Sequence, residues 1–220
     1  MGKPDRWPDW NHAGAERSDP LSERVSVLHA TLRDSDPHLL AERTGAEYSD
    51  DQRAFRLRVW EDEVIVSFPD FVALNAASGR PVNDFVRALL AYYFCTAGGT
   101  PPAGRWIAFS ELPDGIFYAQ AFQSYTGREL IRRFGNDVAA FSLAAKKCGG
   151  EPLALGDAAY VFQALPRVIL AVVAWQGDED FSPSYRLLFD GAIDHYLTTD
   201  ACAVLGSALT RRLLREAETP

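Results

Sequence analysis

Apolar and polar side chains alternate in two neighbouring stretches, AFRLRVW and EVIVSF, set around Glu61-Asp62-Glu63. A period of two sends one set of side chains to a core and the other to water, so these stretches predict a β-hairpin with one solvated face. Ahead of them the period lengthens to that of a helix. DPLSERVSVLHATLR opens with Asp19 as N-cap and Pro20 at the first helical position, and DPHLLAERTG repeats the device with Asp36 and Pro37 before stopping at Gly45. FVALNAASGRPV, with Gly79 and Pro81, reads as a loop. VNDFVRALLAYYFCTA then carries Val82, Phe85, Val86, Leu89, Leu90 and Tyr93 at helical spacing, which predicts a central helix ending before Gly98-Gly99.

Further along, RWIAFSEL reads as a strand and PDGIFYAQAF as an aromatic loop or short strand. Thr126-Gly127-Arg128-Glu129 matches a capping box for a helix that runs to Phe134. Gly135 ends that helix, and Asn136 is expected to cap the next one, up to Cys148. DAAYVFQAL and VILAVVAW flank Pro166-Arg167 and predict an antiparallel pair, the second strand buried on both faces, with the 82–97 helix packed against it. YRLLFD is a further strand, and an amphipathic helix runs from Thr199 to about Glu216. Strands that cluster and join by short turns favour an α+β fold: an antiparallel sheet, hairpin plus meander, packed with several helices in a single globular domain. Residues 20–216 form that domain, and residues 1–19, rich in Pro and Asp but carrying Trp7 and Trp10, are expected to be a flexible tail.

Charge narrows the partners. The 220 residues carry a net charge of -8, which repels phosphate backbones and anionic lipid and argues against nucleic acid and membrane. The longest strongly apolar run, VILAVVAW, is too short to span a bilayer, and MGKPDRWPDWNHAG has no apolar signal core. Cys95, Cys148 and Cys202 are scattered more than fifty residues apart, and read as buried free thiols that ligate no cluster. Together these features predict a soluble cytoplasmic protein.

Candidate chemistry concentrates in two places. In WQGDEDFSPSYRLLFDGAIDHYLTTD, six acidic side chains accompany one Arg186. Asp178, Glu179 and Asp190, with His195, are the candidate metal ligands, since a hard cation needs several converging oxygens. An antiparallel pairing would separate Asp178 from Asp190 and leave them as turn and cap residues that accept backbone amides. In RWIAFSELPDGIFYAQAFQSYTG, Trp106, Phe109, Phe117, Tyr118, Phe122 and Tyr125 lie beside Glu111 and Asp114, a composition that suits a small-molecule pocket or an ordinary core. Arg167, at a turn between apolar strands, could anchor an anion. A shared cleft of Trp106, Glu111, Tyr118, Arg167, Asp178 and Asp190 would crowd its carboxylates, so at least one is expected to have a raised pKa.

The ordered series WIAFSELPDGIFYAQAF, RFGND and GDAAYVFQALPRVILAVVAWQGDEDFSPSYRLLFDGAIDHYL resembles the family called domain of unknown function 3786 (DUF3786), over roughly residues 25 to 215. Some members of that family carry a cysteine-rich iron–sulfur segment of the type seen in corrinoid proteins, so the resemblance implies redox or corrinoid chemistry. This chain lacks the segment, and the cluster does not carry over. Three functions follow as expectations: a binding domain for a small molecule or cofactor, a metal-assisted enzyme using the acidic strand ends, and a protein–protein interaction module.

Overall fold

A computed structural model describes residues 20–218. The expected tail, with Trp7 and Trp10, and the Asp19 cap lie outside the described residues. Helices α1 (Pro20–Leu32) and α2 (Pro37–Thr44) lead into strands β1 (Glu47–Ser49), β2 (Ala54–Val59), β3 (Asp62–Ser67) and β4 (Ala73–Asn75), followed by α3 (Asp84–Thr96). The second half runs β5 (Trp106–Ala108), α4 (Gly115–Tyr125), α5 (Gly127–Phe134), α6 (Val138–Lys147), β6 (Glu151–Pro152), β7 (Ala158–Leu165), β8 (Val168–Trp175), β9 (Ser184–Asp190) and α7 (Thr199–Glu218).

The α+β class holds, but hairpin and meander belong to two antiparallel sheets rather than one. The first has the order β1-β2-β3-β4 and the second β5-β9-β8-β7-β6. In β2, Phe55, Leu57 and Val59 are buried while Arg56 and Arg58 face water, as the alternation requires. The β2–β3 register sets Val59 opposite Asp62, which leaves Trp60 and Glu61 to make the turn. β8 is the middle strand of its sheet, and Val172 and Val173 are wholly buried. One apolar core runs through both sheets.

The helices divide between the sheets. α3 covers the first one through Phe94, whose ring lies 4.9 Å from Phe55 and 5.6 Å from Phe71. Its expected place against the β7–β8 pair goes instead to α6, whose Phe141 lies edge-on to Tyr160 of β7 and Tyr185 of β9 at 5.7 and 5.3 Å. α3 reaches the β7–β8 turn through Tyr93, whose Oη accepts the Arg167 N–H at 3.1 Å and donates to the Thr44 carbonyl at 2.6 Å.

Several local expectations are corrected. PDGIFYAQAF is not a loop or strand: Gly115–Tyr125 is helical, buried along Gly115 and Phe122. The 71–82 loop contains β4, which pairs with β3. α3 starts at Asp84, capped by Asn83. Thr126 forms no capping box, because its hydroxyl donates back to the Phe122 carbonyl while Glu129 pairs with Arg132. Asp137, not Asn136, caps α6 by accepting the Ala140 N–H at 2.9 Å; Asn136 Oδ1 accepts the Gly177 N–H at 2.7 Å instead. Cys148 and Cys202 are buried, whereas Cys95 is half-buried.

Candidate functional site

The hairpin turn at Trp60 joins the two sheets. Its N–H donates to the Ala164 carbonyl at the end of β7, at 2.9 Å. Trp60 has φ 54°, a left-handed conformation that a bulky side chain seldom adopts, so the surrounding contacts must hold it there. The Arg212 guanidinium of α7 stacks over the Trp60 ring at 5.1 Å and pairs with Glu61. Gly149 makes room for this pair, since a Cβ there would meet Glu61 Oε1 at 2.8 Å.

A cleft opens on each side of this node. The first, about 690 Å³, lies between the solvated faces of the sheets, floored by Leu57, Phe162 and Ile169. Its charges are mostly acidic: Glu47, Glu61, Glu63 and Glu151 against Arg56 and Arg58, with Arg56 bonded to Glu63 at 2.9 Å. The second, about 790 Å³, lies between the β3–β4 edge, the first turn of α3 and the last turns of α7. Val59, Val64, Val82, Phe85 and Val86 give it apolar walls. Arg211, Arg212 and Arg215 enter it from α7, while Asp62 and Asp84 bring the opposing charge. Arg211 and Arg215 are one turn apart and so share a helix face. Asp84 is bonded to Arg87 at 3.0 Å, and Arg211 makes no ion pair among the described residues. The second cleft therefore concentrates positive charge on an otherwise acidic chain.

The residues singled out from sequence lie elsewhere. None of Trp106, Glu111, Tyr118, Arg167, Asp178 and Asp190 lines either large cleft. Three share one end of the five-stranded sheet. Trp106 pairs directly with Asp190, and the β8–β9 register, Leu170 opposite Phe189, brings Arg167 to the same end. Tyr196 is buried there, and its phenol pKa, raised first by burial, is lowered by Arg167 and raised by Asp190. Asp178 is at the far end, beyond Trp175, which pairs with Ser184. The strands between are roughly 25 Å long, so Asp178 and Glu179 cannot meet Asp190 or His195 around one ion. Among the described residues no group of three or more His, Cys, Asp or Glu side chains is arranged to hold a metal.

Asp190, Asp178 and Glu111 each have a local task. Asp190 is buried and accepts the N–H groups of Ala103 at 2.8 Å, Gly104 at 2.8 Å and Ala192 at 2.9 Å, which ties the 97–105 segment to the sheet. Asp178 accepts the Phe181 N–H at 2.8 Å and the Asp180 N–H at 2.9 Å. These amides hold its carboxyl below the ordinary value, the opposite of the crowding expected from sequence. Glu111 turns back to the Ala108 N–H at 2.6 Å, and Tyr118 faces outward on α4. Arg167 lies against Gly45, with its Nε buried and unbonded among the described residues.

The second cleft missed detection because its walls come from residues 59–86 and 208–215, which share no motif. The one sequence signal was the RRLLR run of α7, which reads equally as the polar stripe of an amphipathic helix.

By architecture this is an α+β domain of two antiparallel sheets with a charged, apolar-walled cleft beside their junction. The chain belongs to the family described as Domain of unknown function (DUF3786), which matches residues 36–212. No curated protein and no solved structure matches it. No helix among the described residues is long and apolar enough to cross a membrane.

Proposed function

We propose that this chain is a binding domain for a small organic anion, held in the cleft between α3 and α7. The observation that carries the reading is the entry of Arg211, Arg212 and Arg215 into one apolar-walled cleft on a chain of net charge -8. Guanidinium groups suit carboxylates and phosphates because their planar forks donate two parallel hydrogen bonds. The valines and Phe85 would bury an apolar body, while Arg212 is already engaged with Glu61 and Trp60 and serves as the wall. Arg211, which makes no ion pair among the described residues, is the side chain left to face a ligand, and Arg215, which lies 4.0 Å from Glu216, adds positive charge beside it.

Thermal-shift and tryptophan-fluorescence titrations with a tricarboxylate, pyrophosphate and an aryl phosphate test this. At least one probe is expected to raise the melting temperature, and the double substitution Arg211→Glu with Arg215→Glu is expected to weaken its binding tenfold or more. The reading fails if no probe stabilises the wild-type chain, or if the double variant binds as tightly.

A further inference from the structure

Helix α4 is buried along a single stripe, Gly115 and Phe122 with Ala119 packed against the core. Gln123 also turns inward, to the Tyr185 carbonyl at 2.9 Å, but most other positions face outward, and several are large and apolar. Phe117 is 79% exposed, Ile116 69%, Tyr118 48% and Tyr125 38%. Helical spacing puts Phe117, Tyr118, Ala121 and Tyr125 side by side on one flank, with Ile116 across the helix. A surface position needs only a good helix former, so this many adjacent apolar side chains exceed what the fold requires.

The flank is bounded by acid. Asp114 sits one turn before Phe117 and Tyr118 on the same side, and Glu111 is exposed just ahead of it. Asp200, in the first turn of α7, follows Thr199, whose hydroxyl donates to the Pro113 carbonyl at 2.7 Å just ahead of α4; it is near enough to Tyr125 to add to the rise that burial causes in its phenol pKa. The start of the helix is also fixed in place. A Cβ at Gly115 would fall 2.0 Å from the Phe109 carbonyl oxygen, so this turn lies directly on the 3₁₀ turn Phe109–Glu111. A surface held this firmly loses little entropy on binding.

We propose that this flank of α4 docks an amphipathic, positively charged helical segment of another protein, with its apolar side chains on Phe117 and Tyr118 and its cations on Asp114 and Asp200. Charge selects that occupant. A second copy docked through the same patch would bring together two chains of net charge -8 and leave Asp114 and Asp200 without a cation. An anionic lipid surface would meet these carboxylates on a chain of net charge -8.

The test uses the full chain and a synthetic 18-residue amphipathic helix of leucine and lysine. Its controls are the same peptide with glutamate for lysine, phosphatidylglycerol vesicles, and sedimentation velocity of the protein alone. The leucine–lysine peptide is expected to bind wild type, and tenfold or more weakly to the Phe117→Ser, Tyr118→Ser variant. The Asp114→Asn, Asp200→Asn variant is expected to bind several-fold more weakly and to lose most of the salt dependence. Asparagine tolerates the left-handed backbone at position 114, φ 59°, so this second variant removes charge without straining the turn. Circular dichroism should show both variants folded, since the four side chains are not in the core. The proposal is overturned if the peptide does not bind wild type, if either variant binds it unchanged, or if the glutamate peptide binds equally well. Self-association through Phe117, or vesicle binding abolished by the same substitutions, would overturn it in favour of another occupant.

Discussion

Asp190 and Asp178 are both carboxylates beside strand ends, and their surroundings give them different weights. Asp190 is 4% exposed and is the acceptor for three backbone amides from two segments. Truncating it leaves those donors without a partner in a place water reaches poorly. Asp190→Ala should therefore lower the free energy of unfolding by about 3 kcal/mol, as read from urea denaturation. Asp178 is fully exposed, and water replaces its bonds when it is removed. Its folded-state pKa lies below the ordinary 3.8, so whatever stability it adds is present above that value and fades as pH falls through the lower one. Asp178→Asn should leave the midpoint at neutral pH unchanged. A larger loss at Asp178 than at Asp190 would reverse this assignment.

At the scale of elements, β8 shows what the sequence states openly. Its unbroken apolar run implied a strand buried on both faces, and Leu170 to Ala174 are wholly buried in mid-sheet. Val172→Asp should leave no cooperative unfolding transition, because an unpaired charge there costs several kcal/mol. α4 shows the opposite. Its aromatic and β-branched side chains suggest a strand, and apolar residues all round the helix hide the period of 3.6. What makes it helical is tertiary: Gly115 on the Phe109 carbonyl, and Gly206 of α7, where a Cβ would lie 2.7 Å from the Phe122 ring. Gly115→Ala should accordingly destabilise the protein by more than about 2 kcal/mol, despite alanine's better helix propensity; a neutral or stabilising effect in urea denaturation would contradict this packing. Capping residues were legible where the cap is local, as with Asp36 accepting the His38 N–H at 2.9 Å. They misled where a distant backbone competed, as Gly177 does for Asn136. The candidate site was the least legible feature, since cleft walls meet only after two sheets and α7 have assembled.

For the molecule as a whole, the buried neutral acids set an alkaline limit. Burial pushes the thiols of Cys95 and Cys148 up to about 11 from an ordinary 9.0, and that of Cys202 higher still. It pushes the Tyr185 phenol from 10.0 to about 12 and raises Tyr93 as well. These groups come from α3, the C-cap of α6, α7 and β9, so the effect belongs to the common core rather than to one element. Each has a folded-state pKa above its unfolded value, so the folded chain keeps protons that the unfolded chain releases. Stability from these groups is complete below about pH 9 and is lost as pH rises from 9 toward 11, first for the thiols and then for the phenols. Urea midpoints measured from pH 7 to 11 should be level to about pH 9 and then fall progressively. Cys202→Ala should reduce the steepness of that fall, because Cys202 is wholly buried and its thiol is raised furthest. In the native protein Cys202 should react with a thiol reagent only as fast as the chain unfolds. A midpoint level through pH 11, or rapid labelling of Cys202 in the folded chain, would mean that this thiol is not sealed in the core.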